Sequence, residues 1–173
     1  MTNTLNDLEY ISYLNENGLL PTESQGKIGV YAIFDRDKVL QFIGYSRDIY
    51  LSLKQHLVRQ PNLCYWVKYF TIERPNRSIL EDTKNAWIAE NGTIPNGNQD
   101  AKIWNDPIDI KPMMTSEEKE KLSSLDDLSQ IKFLKNMARK IEEKILAELK
   151  LRGVNEEIRF NPKLKESGLL DLK

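Results

Sequence analysis

His56 is the single histidine of this 173-residue chain, and it lies where proton-transferring and phosphate-binding side chains gather. If residues 46–58 form a helix, Ser52, His56 and Arg59 share one face at spacings of four and three. Upstream, Tyr31 closes Gly29-Val30-Tyr31, and Tyr45 follows Phe42-Ile43-Gly44. Imidazole and phenol are groups of acid–base chemistry, although a phenol with a pKa of about 10 needs help to lose its proton. Gly44 would let a backbone approach a phosphate closely. Between Lys27 and Phe70, seven Lys or Arg stand against three Asp, an excess of four positives. That excess makes a modest phosphate-facing patch, or else an ordinary solvated surface.

The surrounding pattern supplies elements to position these groups. Ile28–Phe34 and Val39–Gly44 read as strands of a hairpin turned by Asp35-Arg36-Asp37-Lys38. Ser46–Val58 is a predicted helix with Ile49, Leu53 and Leu57 facing inward, and Cys64–Ile72 a third strand. Ser78 with Glu81 gives a capping-box pattern for a helix through Asn91 that stops at Gly92. The expected class is α+β, a small three-stranded antiparallel sheet flanked by helices in the order β-β-α-β-α. Before it, apolar residues at 5, 8, 11 and 14 predict an N-terminal docking helix. After it, Pro95–Pro112 is a loop or linker, Thr115 with Glu118 opens a short helix, and Ser124–Arg152 forms a long amphipathic helix closed by Gly153. The tail has one strand-like piece, Glu157–Phe160. The expected divisions are 1–26, 27–98 and 99–173. The long helix, on the order of 40 Å at about 1.5 Å per residue, either packs along its own domain or pairs two copies of the chain.

Composition narrows the classes. A net charge of −1 gives no overall electrostatic case for nucleic acid, so a case must rest on local charge. One cysteine, Cys64, excludes a disulfide framework or a Cys-based zinc site within one chain; it is a buried small hydrophobe or a reactive thiol. No long apolar run or signal-peptide pattern occurs, so a soluble, cytoplasmic protein with no membrane partner is expected. Trp66, Trp87 and Trp104 are expected in the core or at a packed edge, with base stacking as the other use.

Gly29-Val30-Tyr31 and Phe42-Ile43-Gly44, with His56 twelve residues beyond Gly44 and a second helix leading to Pro95-x-x-Asn98, resemble the GIY-YIG nuclease superfamily over about residues 27–98. Gln41-Phe42-Ile43-Gly44, the stretch from Leu63 to Lys68, Trp87-Ile88 and Pro95–Asn98 look most similar to the endonuclease-like N-terminal domain of plant plastid monothiol glutaredoxins and to stand-alone cyanobacterial relatives. The resemblance implies a metal-dependent DNA endonuclease with Tyr31 as base or water positioner and His56 supporting the phosphate. Phe42 stands where the family has a second tyrosine, and Tyr45 is a nearby substitute. Ser52 stands where it has an arginine, so Arg47 or Arg59 would supply the cation. The metal carboxylate, expected on the second helix for one Mg or Mn ion, falls to Glu81 or, more weakly, Glu90. Glu81 also reads as a capping carboxylate, His56 as a structural helix histidine, and Asn98 as a turn-holding residue as readily as a substrate contact. The losses leave a second reading: an inactive module of this fold that binds nucleic acid or a protein.

Overall fold

The computed structural model describes residues 3–173. The chain divides into one unit running through Asn105 that takes back Val154–Glu156, and a second made of Asp106–Gly153 and Glu157–Lys173.

In the first unit, strands β1 (Ile11–Ser12), β2 (Ile28–Phe34), β3 (Leu40–Ser46) and β4 (Trp66–Ile72) form an antiparallel sheet in the order β1-β4-β2-β3. Helix α1 (Ile49–Arg59) connects β3 to β4, and α2 (Arg77–Asn91) follows β4. Two short helices, α3 (Asn96–Gln99) and α4 (Lys102–Asn105), occupy the stretch expected to be loop. The α+β class and the β-β-α-β-α order of the core are thus present, with a fourth strand added at the edge.

Local chemistry explains the boundaries. Asp35 turns the hairpin by accepting from the backbone N–H groups of Asp37 and Val39 and from Gln41 Nε2, while Lys38 takes the left-handed conformation at φ 62°. Asp48 caps α1 through the Leu51 N–H. Asn76, two residues before the expected Ser78, caps α2 through the Ile79 N–H. The Ser78–Glu81 capping box is therefore not formed; Glu81 lies a turn into the helix and faces Arg77 at 3.5 Å.

The predicted helix over residues 5–14 is also absent. Leu5–Asp7 is one turn of 3-10 helix, and the chain then extends so that Ile11 pairs with Val67 and Ser12 with Trp66. Side chains of the core satisfy this segment's backbone in place of helical bonds. Glu90 accepts from the N–H groups of Leu5 and Asn6, Lys68 Nζ donates to the Leu5 carbonyl, and Trp87 Nε1 donates to that of Asn3. The exposed edge of β4 gains a partner, a tertiary demand that outweighs local helical spacing.

In the second unit, α5 (Ser116–Ser124) carries the expected Thr115–Glu118 capping box. The strand pair β5 (Ile108–Asp109) and β6 (Leu169–Leu170) flanks it in sequence, with α6 (Asp127–Arg152) and α7 (Pro162–Lys165) between. Gly153 closes α6 at φ 91°. Along the expected stripe of α6, Leu134, Ala138 and Leu149 are buried whereas Leu128 and Ile131 are exposed. Lys165 and Glu142 form a largely buried ion pair at 2.6 Å. Glu157–Phe160 contributes only an isolated bridge from Phe160 to Leu172.

The outer edge of β3 is covered by one side chain. Asn98 Oδ1 accepts from the Ile43 N–H and Asn98 Nδ2 donates to the Ile43 carbonyl, each at 2.8 Å, as a neighbouring strand would. Gly97 permits this approach, since a Cβ there would lie 2.4 Å from the Gln41 carbonyl oxygen. Replacing Asn98 by Ala should lower stability by about 1–3 kcal/mol in urea unfolding, because two backbone groups lose their partner. Asn98→Asp should not restore it, since a carboxylate cannot donate to the Ile43 carbonyl.

Candidate functional site

Side chains alternate along β2 and β3, so the register decides which groups can meet. Tyr31 lies opposite Gly44 and Ile33 opposite Phe42, whereas Val30 lies opposite Tyr45 and Ala32 opposite Ile43. The second set packs with Leu80, Trp87 and Ile88 of α2 in one core cluster. Tyr31 and Phe42 are on the other face, against His56 of α1.

On that face Tyr31 Oη and His56 Nε2 are 2.7 Å apart. Gly44 makes room for the phenol: a Cβ there would be 2.8 Å from Tyr31 Oη and 2.7 Å from Phe42 Cε2. The glycine thus serves ring packing. Ser52 joins the hydroxyl network, bonding Tyr31 and donating to Ser46 Oγ at 2.7 Å. Phe42 stacks on Trp104 with centroids 5.1 Å apart and planes 5° from parallel, and His56 touches both rings. Arg59 Nη1 donates to the Trp104 carbonyl at 2.9 Å. Tyr31 and His56 are each 3% exposed and Trp104 1%. The phenol is thus covered by the rings of this cluster.

Electrostatics reinforce that closure. Burial pushes the Tyr31 hydroxyl far above the ordinary phenol range, against a smaller lowering by the Ser52 hydrogen bond and the Arg59 charge; the Cys64 thiol adds to the rise. No carboxylate figures among the groups acting on it. Burial first, and then the Arg59 charge, lower the His56 pKa to about 3, with the Trp104 carbonyl acting in the opposite direction. The carbonyl closes no hydrogen bond to the ring, and His56 Nδ1 is buried without a partner. Both groups are neutral at neutral pH, so the pair holds a proton in place and is poorly suited to moving one.

The remaining residues expected at this site lie elsewhere. Glu81 belongs to α2, on the opposite side of the sheet from Tyr31, where it is partly exposed and salt-bridged to Arg77. Glu90, also on α2, spends both oxygens on the backbone of Leu5 and Asn6. Asn98 is committed to Ile43. Arg47 and Tyr45 line a separate cleft of about 390 Å³ with Asn76, Arg77 and Leu80. The structure therefore gathers Tyr31, Gly44, Ser52, His56 and Arg59, and leaves Glu81, Glu90, Arg47, Tyr45 and Asn98 outside the cluster. A divalent ion shared with Tyr31 does not fit this donor set, and among the described residues no group of three or more His, Cys, Asp or Glu is placed to hold a metal. Sequence reasoning missed the closing role of Trp104, although its aromatic character marked it as a packing residue.

No family model matches the chain. It is similar to the bifunctional monothiol glutaredoxin-S16, chloroplastic, of Arabidopsis thaliana, with 37% identity over 97 residues, covering 51% of this chain and 33% of that protein. The chain thus spans about a third of the relative's length. No helix among the described residues is long and apolar enough to cross a membrane.

The His56 environment has a thermodynamic signature. Its folded pKa of about 3 lies below the unfolded value of about 6.5, so the unfolded chain binds the extra proton between them. The stability it contributes is fully present above pH ~6.5 and is lost as pH falls towards 3, at up to about 1.4 kcal/mol per pH unit. Urea unfolding from pH 7 to pH 4 should show this slope in the parent chain. In His56→Gln the slope should be shallower by about one proton.

Proposed function

We infer that this chain is a GIY-YIG-type module that binds nucleic acid without cutting it. The observation that carries the reading is the closed Tyr31–His56 pair, buried beneath Phe42 and Trp104 on a sheet face without Glu81 or Glu90. Phosphodiester hydrolysis by this family's route needs a reachable phenol and a carboxylate-held cation at one point. Losing charge stabilisation of that kind costs several orders of magnitude in rate.

Support for a phosphate-binding role comes from the α2 side. Arg47 and Arg77 line one cleft, with Tyr45 between strand and helix, and the N-terminus of the 15-residue α2 opens onto it. Lys84 adds a third cation, 5.9 Å from the Tyr45 ring centroid. Guanidinium groups at a helix N-terminus suit a phosphate backbone. The retained similarity over half the chain to the bifunctional plastid glutaredoxin supports a shared scaffold.

The opposing reading, a Mg-dependent DNA endonuclease, keeps the 2.7 Å Tyr31–His56 hydrogen bond in its favour. One pair of measurements separates the two. Purified protein with Mg²⁺ or Mn²⁺ should nick supercoiled plasmid no faster than Tyr31→Phe; nicking that vanishes in the variant would reinstate the endonuclease. In fluorescence anisotropy at low salt, a labelled oligonucleotide should bind, and Arg47→Ala with Arg77→Ala should weaken it roughly tenfold or more. The slope of log affinity against log salt should fall by about 0.9 for each phosphate that the variant no longer neutralises. Absence of binding at low salt would sink the nucleic-acid assignment.

A further inference from the structure

A second cleft in the first unit, of about 450 Å³, lies at the other end of α2, between the N-terminal arm and the sheet. Its chemistry is set by two lysines and a tyrosine. Lys68 reaches into it from β4 and is only 5% exposed, with Nζ 4.1 Å from the Tyr10 ring centroid. Lys38, in the left-handed position of the β2–β3 turn, holds its Nζ 4.8 Å from the centroids of both Tyr10 and Trp66. Two ammonium groups thus lie close to one ring. Cation–π attraction offsets part of their cost.

The charges in this cleft do not cancel. Lys68 donates to one acceptor, the Leu5 carbonyl at 3.1 Å, so one of the ammonium's three donors is used by the protein. Among the described residues Glu90 is the one carboxylate lining the cleft, and both its oxygens are taken by the Leu5 and Asn6 N–H groups. No carboxylate among the described residues forms a salt bridge with either lysine. Burial lowers the Lys68 pKa, Glu90 opposes that shift, and Lys38 adds to it by repulsion. A buried ammonium with donors to spare, repelled by a second cation, is stabilised by an anion that reaches both.

We propose that this cleft binds a phosphomonoester carried on a small organic body, its phosphate held by Lys38 and Lys68 and its body packed beside Tyr10, as in a nucleoside monophosphate. Lysine recognises phosphate as a point charge, whereas planar bidentate recognition of a carboxylate favours arginine. The volume falls within the range of small-molecule sites and exceeds what a bare phosphate fills. Tyr10, 39% exposed, offers an accessible ring beside the ammonium groups. The site is independent of the Tyr31 cluster and of the Arg47–Arg77 cleft.

The test is calorimetric titration of the full chain with AMP, inorganic phosphate and adenosine. AMP should bind most tightly, phosphate more weakly, and adenosine not measurably; raising the salt should weaken AMP binding. Lys38→Gln, at an exposed position, should weaken AMP at least tenfold while leaving the urea midpoint unchanged. Lys68→Met should abolish binding, with circular dichroism reporting whether the fold is kept; if it is not, Lys38→Gln decides. Failure of AMP to bind at millimolar concentration would overturn the proposal, as would adenosine matching AMP or unchanged affinity in Lys38→Gln. Phosphate matching AMP would overturn the organic-body part.

Discussion

The two-residue alternation across the β2–β3 ladder is the constraint on which every functional reading of this chain depends. Because Tyr31 lies opposite Gly44 and Val30 opposite Tyr45, phenol and imidazole meet on one face while the α2 core forms on the other. The two α2 carboxylates are held on their own side of the sheet, Glu81 by Arg77 and Glu90 by the N–H groups of Leu5 and Asn6. A one-residue slip would exchange the faces, but it would also carry Val30, Ala32 and Ile43 out of the α2 core. Stability of the sheet and separation of the acid from the phenol have the same cause.

The closed cluster also holds opposing energies. An unpartnered buried ring nitrogen such as His56 Nδ1 costs about 1–3 kcal/mol. Against it stand the short hydrogen bond to Tyr31, the stacking of Phe42 on Trp104 at about 0.5–1.5 kcal/mol beyond area burial, and the charge-assisted bond from Arg59 to the Trp104 carbonyl. These interactions oppose the cost of the single orphaned nitrogen. Phe42 is central to that balance.

Much of the core is legible in the sequence because its signals are local. Buried strands of seven residues, the turn chemistry of Asp35, the Thr115–Glu118 capping box and the glycines ending α2 and α6 all act within a few residues of themselves. The N-terminal segment misleads because its spacing suits a helix, whereas its backbone is claimed by Glu90, Lys68 and Trp87, more than sixty positions away. The same holds at the site. Spacing on α1 correctly brings Ser52, His56 and Arg59 to one side, but nothing local can say that Glu81 turns away from Tyr31, or that Trp104 comes back across 48 residues to pack on His56. Long-range pairing of a single side chain leaves no periodic trace.

Charge follows the same lesson of position over total. A net charge of −1 suggests indifference to anions, yet two cationic clefts lie at opposite ends of α2, Arg47 with Arg77 at its start and Lys38 with Lys68 near Glu90 at its end. Fifteen residues of helix separate them by about 22 Å, more than two screening lengths at physiological ionic strength. Each cleft therefore acts through its own few groups, and neither senses the acidic surplus elsewhere on the chain. The Lys68 cleft is tied to the N-terminal arm, because Lys68 Nζ donates to the arm's Leu5 carbonyl. That coupling makes the N-terminal arm part of the Lys38–Lys68 cleft: loosening the arm would hydrate the ammonium and remove the energetic demand for an anion there.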